Sequence, residues 1–468
     1  MRIRAGAVTA GVPVLRFDRG SVVLHPAAAG DAAGAPPLPS FLRWDARIGA
    51  WRCAALHYRA LVRHLVHGNI AHEDLARDYP ELAFPEAHLP APYPHQQAAL
   101  EAWSHGKRGV VELPTGAGKT RLALMAMTQV QRGTLVLVPT LELVTQWCRV
   151  LSEELGVVPG VVGGGSFELA PVTVCTYASA LRHADGFGNR FALAIFDECH
   201  HLSAEGYAAI AEVLIAPYRL GLSATVERPD ARHRLLDGLI GPMVYRQSIT
   251  ALSGRYLADY HTAVEHVQLT PTERERYTAA REIYRSFRDQ AALPTGSSRD
   301  WQRFVFAASR SEAGREALRA FHEQKQLAYA PEGKFARCAA LLWRHRGQRM
   351  LIFTNDNRTA YALSTRFLLP LITHQTRVAE RREIMAHFHA GRWPVLVTSK
   401  VLNEGVDVPA ASVAIVFSGN ASVREHVQRL GRILRKDGDK QAVLYELLTQ
   451  DTGEEGTSRR RRLHDAYR

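Results

Sequence analysis

Apolar runs closed by polar or glycine-rich turns recur in two sets along this chain, with helical spacing between them. From Gln96 to about Thr225, the runs Gly109–Leu113, Leu135–Val138, Val172–Cys175, Leu193–Phe196 and Arg219–Leu222 read as strands. Apart from Glu112, Thr173 and Arg219 they are apolar rather than alternating, which suits a parallel sheet covered on both faces. A second set begins near Arg349, with Met350–Phe353, Leu371–Thr373, Val395–Thr398, Val413–Phe417 and Ala442–Tyr445. The pattern predicts an α/β protein with two parallel-sheet domains facing a cleft, and functional loops at the carboxyl ends of the strands.

Residues 1–84 differ in pattern from the rest of the chain. Short apolar stretches at Val12–Phe17 and Val22–Leu24 are interrupted by Gly, Pro and Ala, notably over Ala27–Pro39, before a helical segment near Ala54–Val66. A small α+β domain is expected there, joined through Pro85, Pro90, Pro92 and Pro94, a stiff connector, to an α/β domain at 85–250. The second α/β domain, 251–468, carries a helical insertion at about 270–330. Thr270 is placed to cap its first helix, Pro271 suits the first helical position, and Glu273 completes a capping box. Tyr277, Ala280, Tyr284 and Phe287 share one face, surrounded by Arg274, Arg276, Arg281, Arg285 and Arg288. A packed hairpin with solvated charges and a nucleic-acid contact both fit that pattern.

At 468 residues and 46% hydrophobic content the chain is long enough for several cores, and no apolar run reaches the length of a membrane span. Met1-Arg2-Ile3-Arg4 is followed by no secretory-type apolar stretch, so a soluble, cytoplasmic protein is expected. Cys53, Cys148, Cys175, Cys199 and Cys338 never form C-x-x-C, which argues against a disulfide framework, a zinc ribbon or an iron–sulfur cluster. Histidines such as His57, His64 and His67 lack ligand spacing. A net charge of +12 favours a polyanionic partner, although the excess of arginine over lysine and the abundant alanine also fit a GC-rich genome.

The chemistry lies at the turns. Leu113-Pro114-Thr115-Gly116-Ala117-Gly118-Lys119-Thr120 follows a strand and opens a helix over Arg121–Val130. Glycines there let backbone N–H groups approach a polyphosphate, the helix N-terminus adds a favourable dipole, Lys119 adds a positive charge, and Thr120 suits Mg²⁺. Leu113 stands where the full phosphate-loop consensus has its first glycine. Ile195-Phe196-Asp197-Glu198-Cys199-His200-His201 ends another strand with paired carboxylates, one suited to a Mg²⁺ shell and one to activating water. Gly221-Leu222-Ser223-Ala224-Thr225 closes a third strand with small hydroxyl residues. In the second domain, Asn403-Glu404-Gly405-Val406-Asp407 follows a strand. Gln428-Arg429-Leu430-Gly431-Arg432-Ile433-Leu434-Arg435 places arginines along an expected helix, where Arg432 and Arg435 suit arginine fingers.

The ordered set LPTGAGKT, LVPTLELVTQW, FDECHH, GLSATVERPD, LIFT, VTSKVLNEGVDVP and QRLGRILR resembles the superfamily 2 DNA helicases, and most closely the XPB type. The likeness runs from about residue 12 to Ser458-Arg459-Arg460-Arg461-Arg462. It implies two RecA-like domains, a damage-recognition-like N-terminal domain, a thumb-like insertion, and ATP with Mg²⁺. By resemblance, Gln96 reads adenine, and the loop from Pro114 through Thr120, including Thr115, Gly116, Ala117, Gly118 and Lys119, holds the phosphates. Asp197 and Glu198 drive hydrolysis, while His200, Ser223 and Thr225 couple it to motion. Gly405 and Asp407 complete the site, and Gln428, Arg432 and Arg435 close it. Pro139, Thr140, Thr176, Thr398 and Ser399 touch DNA phosphates without reading bases. The resemblance further implies 3′–5′ polarity, DNA repair and a nuclease partner. Three departures stand out: Arg228-Pro229-Asp230 replaces the family's Arg-Glu-Asp, Tyr93 and His95 replace an arginine and a tyrosine near the adenine site, and Cys199 replaces a smaller or aliphatic residue.

Overall fold

The structure, a computed structural model, describes residues 12–27, 37–204, 206–226, 232–294, 298–399, 411–419, 434 and 441–461. The chain forms two compact units that divide at Gln247–Ser248.

The first unit begins with a five-stranded sheet made from β1 (Val14–Asp18), β2 (Ser21–His25), β3 (Arg43–Asp45), β4 (Ala50–Ala54) and β5 (Glu73–Leu75), in the order β3-β4-β2-β1-β5. Alternation puts Leu15, Val22, Leu24 and Cys53 on one face against Leu61 and Leu65 of the helix Tyr58–His67, and Ile215 of the following domain joins this core. The Arg19-Gly20 turn lies tight against that domain: Gly20 has φ +82°, and a Cβ there would stand 2.6 Å from Val213 Cγ1. The helix expected near Ala54–Val66 starts later, at Tyr58, because Ala50–Ala54 is taken up in pairing with β2.

The adjoining sheet holds β6 (Arg108–Glu112), β7 (Thr134–Val138), β8 (Gly160–Gly163), β9 (Ser166–Phe167), β10 (Val172–Thr176), β11 (Leu193–Asp197), β12 (Tyr218–Ser223) and β13 (Met243–Arg246), ordered β13-β6-β12-β11-β7-β10-β8-β9. Its pairs are parallel apart from β8 with β9. β7, β10 and β11 are buried along their whole length, which their mostly apolar sequences suit. Arg219, the second residue of β12, is fully buried, and its guanidinium donates to the carbonyls of Leu239 at 2.5 Å, Leu214 at 2.6 Å and Ala216 at 3.1 Å. Trp103 Nε1–H donates to the Arg219 carbonyl at 2.9 Å.

The second unit is built on β14 (Asp259–Val267), β15 (Met350–Phe353), β16 (Leu371–Ile372), β17 (Val395–Thr398), β18 (Val413–Val416) and β19 (Gln441–Thr449), in the all-parallel order β14-β19-β18-β15-β17-β16. Between β14 and β15 run the helices Pro271–Gln290, Ser298–Ala308 and Glu312–Tyr329, followed by Glu332–Arg344 on the sheet. Thr270 and Glu273 form the expected capping box. Tyr277 and Ala280 are buried, and Tyr284 and Phe287 pack edge-on to Phe304. The aromatic face of the insertion is thus a packed core, and the arginines lie outside it. Lys334 and Glu454 form a fully buried ion pair at 2.7 Å that ties the helix Glu332–Arg344 to the helix Gly453–Arg461.

Candidate active site

Sheet order decides which loops meet. β6, β12 and β11 are neighbours in parallel, so the residues after β6, the end of β12 and the end of β11 emerge side by side. The register pairs Glu112 with Ser223 and Leu222 with Asp197, and Leu113 N–H donates to Ser223 O at 3.0 Å. Three motifs far apart in sequence therefore share one edge of the sheet.

The glycine-rich turn has left-handed backbone at Gly116 (φ +88°) and Gly118 (φ +84°) before the helix Lys119–Val130. A side chain at Gly118 is excluded on space as well, since its Cβ would fall 2.0 Å from Gln96 Nε2. Lys119 Nζ donates to Leu113 O at 3.1 Å, which folds the side chain back over its own loop. The Thr115 hydroxyl is buried without a hydrogen-bond partner among the described residues. A glycine turn at a helix N-terminus with a cation and a spare hydroxyl fits an anionic polyphosphate.

Asp197, at the end of β11, is held from several sides. Trp147 Nε1–H donates to its Oδ2 at 2.9 Å, Glu198 N–H donates to Oδ1 at 3.0 Å, and the Tyr177 hydroxyl donates to its carbonyl at 2.9 Å. Burial and then the neighbouring Glu198 push its pKa up to about 6, while the Trp147 bond and Lys119 act in the opposite direction. A cation beside this carboxylate would relieve the penalty of burying its charge. Thr120 and Asp197 together offer the hard oxygen donors that Mg²⁺ takes. Because the folded pKa is raised, the favourable linkage is complete below the unfolded value of 3.8 and is lost as pH rises through about 6. The nucleotide-free Asp197→Asn protein should therefore gain stability over wild type by on the order of 2–3 kcal/mol as pH rises from about 4 to 7. A difference in unfolding free energy that stays flat over that range would contradict the buried-charge account.

Glu198 has φ +47°, a left-handed conformation that is strained for a non-glycine residue and is concentrated at functional sites. Ser223 Oγ lies 3.1 Å from His200 Nδ1, 3.0 Å from Thr225 O and 3.4 Å from Glu198 Oε2, and His200 Nδ1 is 3.4 Å from the same Glu198 oxygen. One hydroxyl proton cannot serve Thr225 and Glu198 at once, so the junction has alternative bonding states. The Thr225 hydroxyl is itself buried without a partner among the described residues.

Three contributions were not readable from motif spacing. Trp147 and Tyr177 reach Asp197 only because β7 stands beside β11 and β10 beside β7. Glu112, the last residue of β6, accepts from Val226 N–H at 2.8 Å and from Arg246 Nε at 2.7 Å, joining the strand before the phosphate loop to the segment after Thr225. A buried acid closing an apolar strand was the available signal.

Family models match in three places: the Xeroderma pigmentosum group B helicase damage recognition domain over residues 15–76, the type III restriction enzyme res subunit over 90–228, and the helicase conserved C-terminal domain over 333–437. A relative in Sulfurisphaera tokodaii, named DNA 3′-5′ translocase XPB2, is 40% identical over 90% of this chain and 95% of its own length. The chain belongs to the XPB family of superfamily 2 helicases. The DNA 3′-5′ helicase XPB of Kineococcus radiotolerans is 30% identical over 77% of this XPB-family chain and 60% of its own length. Among solved structures, S. cerevisiae Dbp5 bound to RNA and ADP BeF3 shares the fold with TM-score 0.54 at 17% identity, covering 81% of this chain and 88% of that one. The family carries ATP use with it.

The other residues expected at the site of this XPB-family chain lie elsewhere. Gln96 is buried, and its Oε1 accepts Tyr93 N–H at 3.0 Å as a helix cap. Tyr93, half exposed, stacks on His95 with ring centroids 5.7 Å apart, so the substituted pair forms its own aromatic ledge. Pro139 and Thr140 follow β7, and Thr176 ends β10, on the half of the sheet away from β6. Thr140 and Thr176 accept the capping N–H groups of Leu143 and Ser179. Thr398 ends β17 with its hydroxyl donated to Ser399 O at 3.0 Å, and both residues are buried. Gly405, Asp407, Gln428, Arg432 and Arg435, and the Arg228-Pro229-Asp230 triplet, lie outside the described residues. No described helix is long and apolar enough to cross a membrane.

Proposed function

We propose that this chain is an ATP-driven motor that moves 3′ to 5′ along DNA and separates or remodels strands during repair. The observation that carries the reading is the shared edge of β6, β12 and β11, where phosphate loop, paired acids and hydroxyl junction adjoin. Lys119 and the loop amides neutralise phosphate charge, and Thr120 with Asp197 holds Mg²⁺. The metal, when bound, supplies Lewis-acid charge neutralisation to the phosphoryl group. Glu198 accepts a proton from the attacking water, and the His200–Ser223–Thr225 junction changes bonding partner as the charge on Glu198 changes. Gln96 reads adenine, Gly405, Asp407 and Gln428 complete the nucleotide site, and Arg432 and Arg435 act as arginine fingers. Pro139, Thr140 and Thr176 grip phosphates from one sheet, and Thr398 and Ser399 from the other. DNA cutting in the same pathway belongs to a partner nuclease.

A second reading is a translocase that tracks duplex without processive unwinding. It is favoured by the name of the 40% identical relative, a translocase, where the 30% identical one is named a helicase. ATP hydrolysis and strand displacement on 3′-tailed, 5′-tailed and blunt DNA separate the readings. The helicase displaces strands from 3′-tailed DNA preferentially, and the translocase shows DNA-stimulated hydrolysis without displacement. Hydrolysis indifferent to every DNA would sink both.

A further inference from the structure

Glu112 closes β6 between two neighbouring strands. The register sets Ser223 of β12 on one side of it and Arg246 of β13 on the other, so three strand ends lie in one row. Its side chain is buried and bonds in both directions. Oε2 accepts Val226 N–H at 2.8 Å, Oε1 accepts Arg246 Nε at 2.7 Å, and Arg246 Nη2 lies 3.3 Å from Oε2. The Glu112 carbonyl also accepts Gln247 N–H at 3.0 Å. One residue therefore meets three places: the start of the loop Leu113–Thr120, the segment after Thr225, and the last two residues of the first unit before the second begins at Ser248.

The sheet by itself does not need an acid there. Backbone pairing already joins β6 to β12 and β13, and Val110 and Val111 before Glu112 are apolar and buried. A carboxylate at such a position is costly to bury unless donors satisfy it, and charge-assisted bonds of 2.7–2.8 Å are short enough to hold their partners at a set distance. The Val226 bond faces the junction. Ser223 Oγ stands 3.0 Å from Thr225 O and 3.4 Å from Glu198 Oε2, so a change of partner at Ser223 shifts Thr225 and, through the chain, the Val226 N–H. The carboxylate must follow that N–H or lose the bond. Arg246, its side chain half exposed, has room to move with it.

We propose that Glu112 is a positioning residue that transmits a displacement of the Ser223–Val226 segment to Arg246, and so to the point where the chain leaves the first unit. The inference rests on the reading of the chain as an ATP-driven motor. Glu112 acts through Val226 and Arg246 and takes no part in the chemistry at phosphate or metal. Its bonds make the end of β13 respond to the state of the junction at Glu198, with β6 as the fixed member between them.

The test is hydrogen exchange on the full chain with and without ADP and Mg²⁺, read in peptides covering residues 113–122, 220–226 and 244–252. In wild type the nucleotide should change exchange in all three. Arg246→Gln, at a half-exposed site, should keep the change in the first two and lose it at 244–252, whereas Glu112→Gln should keep it at 113–122 alone. With DNA present both variants should lower kcat for ATP by roughly 2–30-fold at unchanged KM, a split that general loss of structure does not produce. A response at 244–252 that survives in both variants overturns the proposal, as does a wild-type response confined to 113–122. Loss of the response at 113–122 in Glu112→Gln overturns it too, since Glu112 would then be a support of the loop. Wild type that responds to ADP in none of the peptides sinks the motor reading itself.

Discussion

Glu198→Gln should lower ATP turnover by about 10²–10⁴-fold, the range a positioned general base contributes. Glutamine has nearly the same shape, so it preserves packing at the end of β11 but cannot accept a proton from water. The structure makes this position sensitive. Glu198 is held at φ +47° and lies within 3.4 Å of both Ser223 Oγ and His200 Nδ1, so its carboxylate sits in a fixed polar junction. Nucleotide binding and thermal stability should stay near wild type, since Lys119 and Asp197 are untouched. Single-turnover hydrolysis and equilibrium nucleotide binding on the same preparation separate the two effects. Turnover within threefold of wild type would remove Glu198 from the role of base.

Lys334→Met should destabilise the second unit by about 3–5 kcal/mol, because it leaves a carboxylate buried without its cation. Lys334 Nζ donates to both Glu454 oxygens and to Phe417 O at 2.9 Å, and Glu454 also accepts Thr449 N–H at 3.1 Å. The pair thus joins the helix after the insertion, the exit of β18 and the end of β19. Adding Glu454→Leu to Lys334→Met should recover most of the loss, since replacing both charges by apolar groups of similar size is often neutral. Hydrogen exchange at the β19 amides, measured for both variants, reads the stability of this unit directly. Equal losses in the single and double variants would show that the ion pair's shape matters more than its charge.

The parts legible in the sequence share a physical cause. β7, β11 and β15 are short, continuous and buried on both faces, so their apolar runs stand out against the turns. β14 escaped notice because it is an edge strand: Asp259–Val267 carries Asp, His, Thr and Glu, and of its residues only Val267 is buried. The short β3 and β5 escaped because three residues carry no period. In the site, the phosphate loop, the acid pair and Ser223 were legible because each lies within one contiguous turn. Trp147, Glu112 and the Lys334–Glu454 pair were not, because sheet order and packing, rather than local spacing, bring their partners together. Gln96 was expected at the site and stands against the Gly118 turn, but its task as a helix cap depends on the turn at Tyr93.

Arg219 gives β12 a fixed root. Carbonyls from Leu214, Ala216 and Leu239 grip its guanidinium, and Trp103 holds its own carbonyl, all at the end of the strand remote from Ser223. The strand is consequently a cantilever, immobile at its base and polar at its tip. It cannot slide lengthwise to absorb a rearrangement at Ser223, so that displacement must pass sideways, toward Thr225 and Val226.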